Sequence, residues 1–160
     1  MGSTSWFQAR GTKVYRPYRQ ASFEKPWWET NGARFWMLGP FKSVATAATR
    51  ELHDACLVFN VKLGQRRCVF TGDASDRNLQ SIADNTKGIS GDILHASHHG
   101  SLQGANLAFI KKSAPKYTVV STAPGVYDSV PHPTAMKRYR DHTSDEVYRT
   151  DVSGDLWFEC

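Results

Sequence analysis

Seven residues, His95-Ala96-Ser97-His98-His99-Gly100-Ser101, hold three of the chain's six histidines. Two other segments place polar groups in comparable settings. Thr71-Gly72-Asp73 closes the apolar run RRCVFTGD, and Pro131-His132-Pro133 follows the run KYTVVST and its loop. Imidazole nitrogen suits zinc, and a carboxylate can bridge two cations. A carboxylate and several imidazoles at neighbouring strand ends therefore fit a divalent zinc or manganese site. Side chains of adjacent residues diverge, so His98 and His99 cannot easily share one role. One would bind metal, and the other would contact a phosphate oxygen or protonate a leaving group. Gly100 permits a tight backbone after them, and Ser101 could cap a turn or bond substrate. Each group also has a plainer alternative when taken alone. Asp73 could be a helix cap, His132 a surface or first-turn residue, and His98-His99 polar loop residues. Their joint placement at strand ends, where functional groups collect, carries the chemical reading.

The elements that would hold these groups are legible as an alternation of strands and helices. ARFWMLGP (33–40) reads as a strand stopped by Gly39-Pro40. A helical turn in SVATAATREL leads to a polar loop around His53-Asp54. Residues 55–64 and 66–73 form two apolar runs joined at Gly64-Gln65, the pattern of a β-hairpin. Leu79, Ile82 and Ala83 lie at helical spacing within 74–86, with Ser75 or Asp73 as the cap. A short strand (92–97), a helix (105–114) and a buried strand (116–122) follow. A helix then begins at Pro131 or Pro133 and ends near His142. Residues 146–151 and 154–160 are expected to close the chain as a hairpin. Strands alternating with helices indicate an α/β layered domain. Residues 1–32 are aromatic-rich and read as an N-terminal extension, with VYRPY as a short edge strand.

Composition sets the remaining bounds. At 160 residues and 40% apolar content the chain can bury one domain's core. No apolar run approaches the ~18 residues that span a bilayer, and MGSTSWFQARG lacks the apolar stretch of a signal peptide. A soluble cytoplasmic protein is the expectation. Cys56, Cys68 and Cys160 are never in CxxC spacing, so a thiolate zinc site is not expected. Cys56 and Cys68 lie in apolar stretches and read as small core residues. The formal charge of +5 is compatible with a polyanionic substrate such as nucleic acid, although the basic residues are dispersed.

From about Ala33 to Cys160 the chain resembles the C-terminal half of the metallo-β-lactamase fold, in particular the branch related to the hydrolase domain of the DNA-uptake protein ComEC. The matching pieces are HDACLVFNVKLGQRRCVFTGDAS, GDILHASHHGS, YTVVSTAPGVYDSVPHPTAMKRYRD and VYRTDVSGDLWF, with TGD, SHHGS and PHP in order. The resemblance implies residues 33–160 are half of an αββα sandwich, a mixed sheet with flanking helices and metals at one edge. It implies Asp73 as the carboxylate that bridges two cations and His132 as a ligand of the second. His98 and His99 resemble the paired histidines near the metals, one on metal and one facing substrate, in an order that stays open. Catalytic candidates are thus His98 and His99, and metal candidates Asp73, His99 and His132. The implied cofactor is zinc in a two-metal site, with manganese as an alternative. His95 is off the motif and reads as a core residue or one just behind the site.

Two departures matter. Val130 stands where the branch often has a second histidine. The family's principal metal motif, HxHxDH, does not occur in these 160 residues. His53-Asp54 has no histidine two residues away and aligns with a polar loop before a strand. The resemblance therefore implies a metal-dependent phosphodiesterase or nuclease that needs a second protein chain, or a missing segment, to bring HxHxDH. Its substrate would be nucleic acid or a nucleotide. Half a sandwich would also expose an apolar face, which calls for a partner. The alternative is a non-catalytic scaffold or interaction subunit with a degenerate site.

Overall fold

Asn31 and Gly32 both adopt positive φ (46° and 80°), the backbone a two-residue type I′ hairpin turn requires. They fold β1 (Trp28–Thr30) antiparallel onto β2 (Ala33–Gly39), so the sheet begins inside the segment read as an extension. The computed structural model describes residues 7–13, 25–125 and 129–159. VYRPY at 14–18, the loop residues 126–128 and Cys160 lie outside them.

Among the described residues the sheet has seven strands in sequence order. β2, β3 (Val58–Leu63) and β4 (Arg66–Phe70) are antiparallel, and Gly64-Gln65 makes the expected hairpin turn. β5 (Ile93–His95), β6 (Tyr117–Val120) and β7 (Glu146–Arg149) then add in parallel. A short helix α1 (Lys42–Ala45) follows β2. Each parallel step is crossed by a helix: α2 (Asp76–Asn85), α3 (Leu107–Ser113) and α4 (Pro133–His142). Crossovers of one hand, laid down in one direction along a sheet, put their helices on one face. The core lies there. Leu38, Val58, Val69, Leu94 and Val120 meet Leu79, Ile82, Phe109, Ile110, Met136 and Tyr139. The fold is α/β with a mixed sheet. No helix among the described residues is long and apolar enough to cross a membrane.

The other face carries the alternate strand residues. Phe35, Val61, Cys68, Ile93 and Tyr117 form one cross-sheet row, and Met37, Phe59 and Phe70 begin the next. This face is apolar but only partly covered, since Trp28 and Phe70 are about half exposed. Cys56 packs against the core of the helical side, and both Cys56 and Cys68 are half-buried.

The closing hairpin does not form. Thr150–Ser153 is a helical turn, α5, and residues 154–159 contain no strand. Thr150 explains the turn. Its hydroxyl accepts from the Thr122 amide (2.8 Å) and donates to the Thr122 carbonyl (2.6 Å), pinning the chain to the end of β6. The tail then crosses the open face, where the Phe158 ring meets those of Tyr117 and Tyr148 at 5.7 and 6.3 Å. Burial of Phe158 on these rings replaces the strand pairing that alternation in GDLWFEC suggested.

Candidate functional site

The C-terminal ends of β4, β5, β6 and β7 share one edge because the strands are parallel, and loops at such an edge converge. β3 runs the other way, so the segment before it reaches the same edge. The residues of interest all emerge there.

Three contacts lock the loop after β4 to the loop after β5. Thr71 donates its hydroxyl to the His95 carbonyl (2.7 Å), the His98 amide donates to Gly72 O (3.0 Å), and the Ser97 hydroxyl donates to Ala74 O (2.7 Å). Gly104 lets the following loop close on them. A Cβ there would stand 2.7 Å from Ser97 O and 2.9 Å from His98 Cβ. Within this frame His98, His99 and Gly100 adopt successive left-handed conformations, with φ of 50°, 56° and 80°. For each histidine this costs about 1–3 kcal/mol, and such strain persists only where the surroundings over-determine it.

The strained turn separates the two rings, as their adjacency required. His99 Nδ1 lies 2.7 Å from the Ser121 carbonyl, and a carbonyl only accepts, so Nδ1 carries a proton. The Nε2 atom then faces Asp73 Oδ1 at 3.6 Å. A neutral ring in this tautomer aims its lone pair at the carboxylate, so two donors oppose across a gap. That arrangement suits a shared cation, or a protonated ring paired with the carboxylate.

His132 is placed differently. Its amide donates to Gly100 O (2.9 Å), which sets it beside the histidine turn. Its Nδ1 accepts from the Thr134 amide (3.1 Å) and caps α4. A neutral ring bonded this way holds its proton on Nε2 and offers no lone pair until the cap is released. Among the described residues, no three His, Cys, Asp or Glu side chains gather closely enough to hold a metal ion. A tight zinc site takes about four ligands. The chain thus supplies two opposed donors, Asp73 and His99, with His132 nearby but engaged.

His95 is half-buried on the open face, with its Nδ1 3.5 Å from the Thr71 hydroxyl and its ring 6.5 Å from that of Phe70. Burial lowers its pKa, the neighbouring His99 adds to this, and Asp73 acts in opposition. Burial also lowers the pKa of His98, helped by His53 and His99 and opposed by Asp73 and Glu51. Burial raises the Cys56 thiol, so it is no ready thiolate. Ser101 caps the next turn, accepting from the Gln103 amide.

His53 lies in the polar turn before β3, and its ring is 4.5 Å from that of His98. The buried Asp54 places it. Its carboxylate accepts from the Ser75 hydroxyl (2.5 Å) and the Glu51 amide (3.1 Å), and Arg77 approaches at 3.5 Å. Ser75 in turn caps α2 by accepting from the Asn78 amide. The available signal was topological: an antiparallel β3 must start at the edge where β4 and β5 end.

No protein-family model matches the chain, and no curated protein matches it.

Proposed function

We propose that the chain is half of a metal-dependent hydrolase of the metallo-β-lactamase fold, of the phosphodiesterase or nuclease class. A second chain would bring the other sheet and the HxHxDH donors. The observation that carries this reading is the Asp73 carboxylate facing His99 Nε2, with Nδ1 committed to the Ser121 carbonyl. Zinc or manganese bound there would supply an activated water and charge for attack on a phosphodiester. Asp73 and His99 would hold the cation, and the Ser121 carbonyl fixes the ligating tautomer of His99. His98, half-buried and favoured in its neutral form, would donate its ring N–H to a phosphoryl oxygen. His132 would join as a ligand on releasing its cap. The formal charge of +5 favours a polyanionic substrate. The half-exposed rings of Trp28 and Phe70, on the sheet face away from the helices, favour a partner layer over that face.

The test is zinc affinity of the full chain by competition with a chromophoric chelator. Asp73→Ala and His99→Ala should each weaken binding at least about tenfold, the scale on which metal sites respond to changes around them. Hydrolysis of bis-p-nitrophenyl phosphate should then require a chain carrying HxHxDH. Retention of full zinc affinity by Asp73→Ala would refute the reading. A non-catalytic scaffold is the second reading, favoured because no three metal-ligating side chains gather among the described residues. Zinc binding with no hydrolysis in the mixture would select it.

A further inference from the structure

Three cations stand directly opposite one another at the end of the sheet away from the histidine turn. Arg34 on β2 faces Lys62 on β3, and Lys62 faces Arg67 on β4. Directly opposite residues share a face, so the three side chains form one row, two residues beyond the buried row of Trp36, Asn60 and Val69. Neighbouring strands lie about 4.8 Å apart, so three positive charges start within about 10 Å of one another. Like charges placed directly opposite destabilise a sheet. Carboxylates offset the row only at its ends. Glu29 approaches Arg34 at 3.7 Å, but both side chains are more than half exposed, which makes the pair weak. Asp92 accepts from the Arg67 amide (2.8 Å) and lies 3.9 Å from the Arg66 guanidinium. Lys62, in the middle, is half-buried and has no ion pair among the described residues. Arg67 is held on the face by the Trp36 ring, whose centre is 5.2 Å from its guanidinium carbon. Beside the row, the Asn31-Gly32 turn and Gly64 border a depression of about 550 Å³ whose walls include Arg34 and Lys62. That volume is in the range of small-ligand sites.

The surroundings select the ligand. Glu29 and Asp92 bound the row on either side, so a long phosphodiester backbone crossing it would meet carboxylates. β2, β3 and β4 are each paired along both edges, so no free strand edge there can take up a peptide backbone. A compact anion of high charge meets neither obstacle. Guanidinium forks match phosphoryl oxygens, and a lysine adds a point charge between them. We infer that Arg34, Lys62 and Arg67 bind a short linear polyphosphate, either free or carried by a nucleotide. β4 runs from Arg67 toward Asp73, so this site lies at the other end of the strands from the Asp73–His99 pair and does not depend on the hydrolase reading.

The experiment titrates the full chain with sodium triphosphate in metal-free buffer at low salt, followed by calorimetry and by backbone ¹H–¹⁵N spectra. Binding should saturate, with the amides of Gly32, Arg34, Lys62 and Arg67 shifting together. Lys62→Ala and Arg34→Ala should each weaken it about fivefold or more, the weight of one ion pair. Lys62→Arg should retain it, and Lys137→Ala, which removes a cation already paired with Asp141, should change nothing. Adenosine triphosphate binding no tighter than triphosphate would assign recognition to the phosphates alone, and tighter binding would add a contact from the nucleoside. Unshifted amides at this end of the sheet would overturn the inference, and that readout needs no variant to fold. Equal triphosphate affinity in Lys62→Ala, Arg34→Ala and the wild-type protein would overturn it as well. So would a single-stranded oligonucleotide or a glutamate-rich peptide that binds through Lys62 and is not displaced by triphosphate. The two readings fail separately, because Asp73→Ala should leave triphosphate affinity unchanged whatever it does to zinc.

Discussion

Removing the Asp54 carboxylate should destabilise the fold more than any other single polar change at the site edge. Asp54 is 1% exposed and accepts two short hydrogen bonds, from Ser75 Oγ at 2.5 Å and the Glu51 amide at 3.1 Å. Hydrogen bonds to a charged group contribute about 1.5–3 kcal/mol each. Arg77 is 46% exposed at its side chain and 3.5 Å away, so its pairing adds under about 1 kcal/mol. Asp54→Ala should therefore cost about 3–5 kcal/mol. Asp54→Asn keeps an oxygen for Ser75 but turns an NH₂ toward the Glu51 amide and Arg77, which are both donors. It should lose about half as much. The assay is urea unfolding at pH 7.5, with the slope compared across variants so that a midpoint change reports stability. Imidazole ¹H–¹⁵N spectra of the variant should also show the His98 ring resonances shifted, because Asp54 positions the turn that carries His53 against that ring. An Asp54→Ala loss below about 1 kcal/mol would refute the claim that this carboxylate clamps the edge, since ordinary surface changes stay near 0.5 kcal/mol. Equal losses for Asn and Ala would show that the retained Ser75 bond contributes nothing, and an unchanged Asp54→Asn variant would show that the charge contributes nothing.

Gly104→Ala would place a Cβ against Ser97 O and His98 Cβ, forcing the histidine turn to shift. A cost of about 1–3 kcal/mol is expected from such overpacking, together with altered His98 ring resonances. A wild-type urea midpoint with unchanged resonances would contradict the close approach. Stability should also fall with acid between pH 7.5 and 5.5. Burial holds the folded-state pKa values of His95 and His98 below the ordinary 6.5, so unfolding lets both rings take up protons that the folded chain refuses. Their contribution is complete above about pH 6.5 and shrinks as pH falls toward the lowered folded values. His95→Leu should narrow the difference in urea midpoint between the two pH values, whereas equal midpoints in the wild-type protein would exclude the effect.

Much of the fold was legible because it depends on local patterns. The helix spacing of Leu79, Ile82 and Ala83, the Ser75 cap, the turn at Gly64-Gln65 and the proline start of α4 all report backbone preferences and one buried face. Two elements depart from their local pattern for opposite reasons. Asn31-Gly32 is a strong hairpin signal, but its flanking strand β1 is only three residues long and sits among aromatic residues that hid the alternation. GDLWFEC has strand-like alternation, but Thr150 diverts the chain and Phe158 finds rings to pack against.

The candidate site was legible as a set of strand ends and illegible as a geometry. Asp73, His98 and His99 could be placed near one another from the alternation of strands. Nothing local could separate the two adjacent rings. Successive left-handed residues send His99 to Asp73 and His98 to His53, and that conformation exists only because Gly72, Ala74 and Gly104 hold the loop. His132 shows the converse, since its capping bond to the Thr134 amide is a local use of the ring that a motif match does not reveal.

The sequence by itself determined the α/β alternation, the helix caps and the chemistry available at each strand end. These follow from short-range sterics, hydrogen bonding and the periodicity of burial. Tertiary structure alone decided which donors oppose one another and which face of the sheet stays open. Both depend on strand direction and on contacts between residues such as His53 and His98, far apart in the chain and brought together by an antiparallel strand that starts where two parallel ones end.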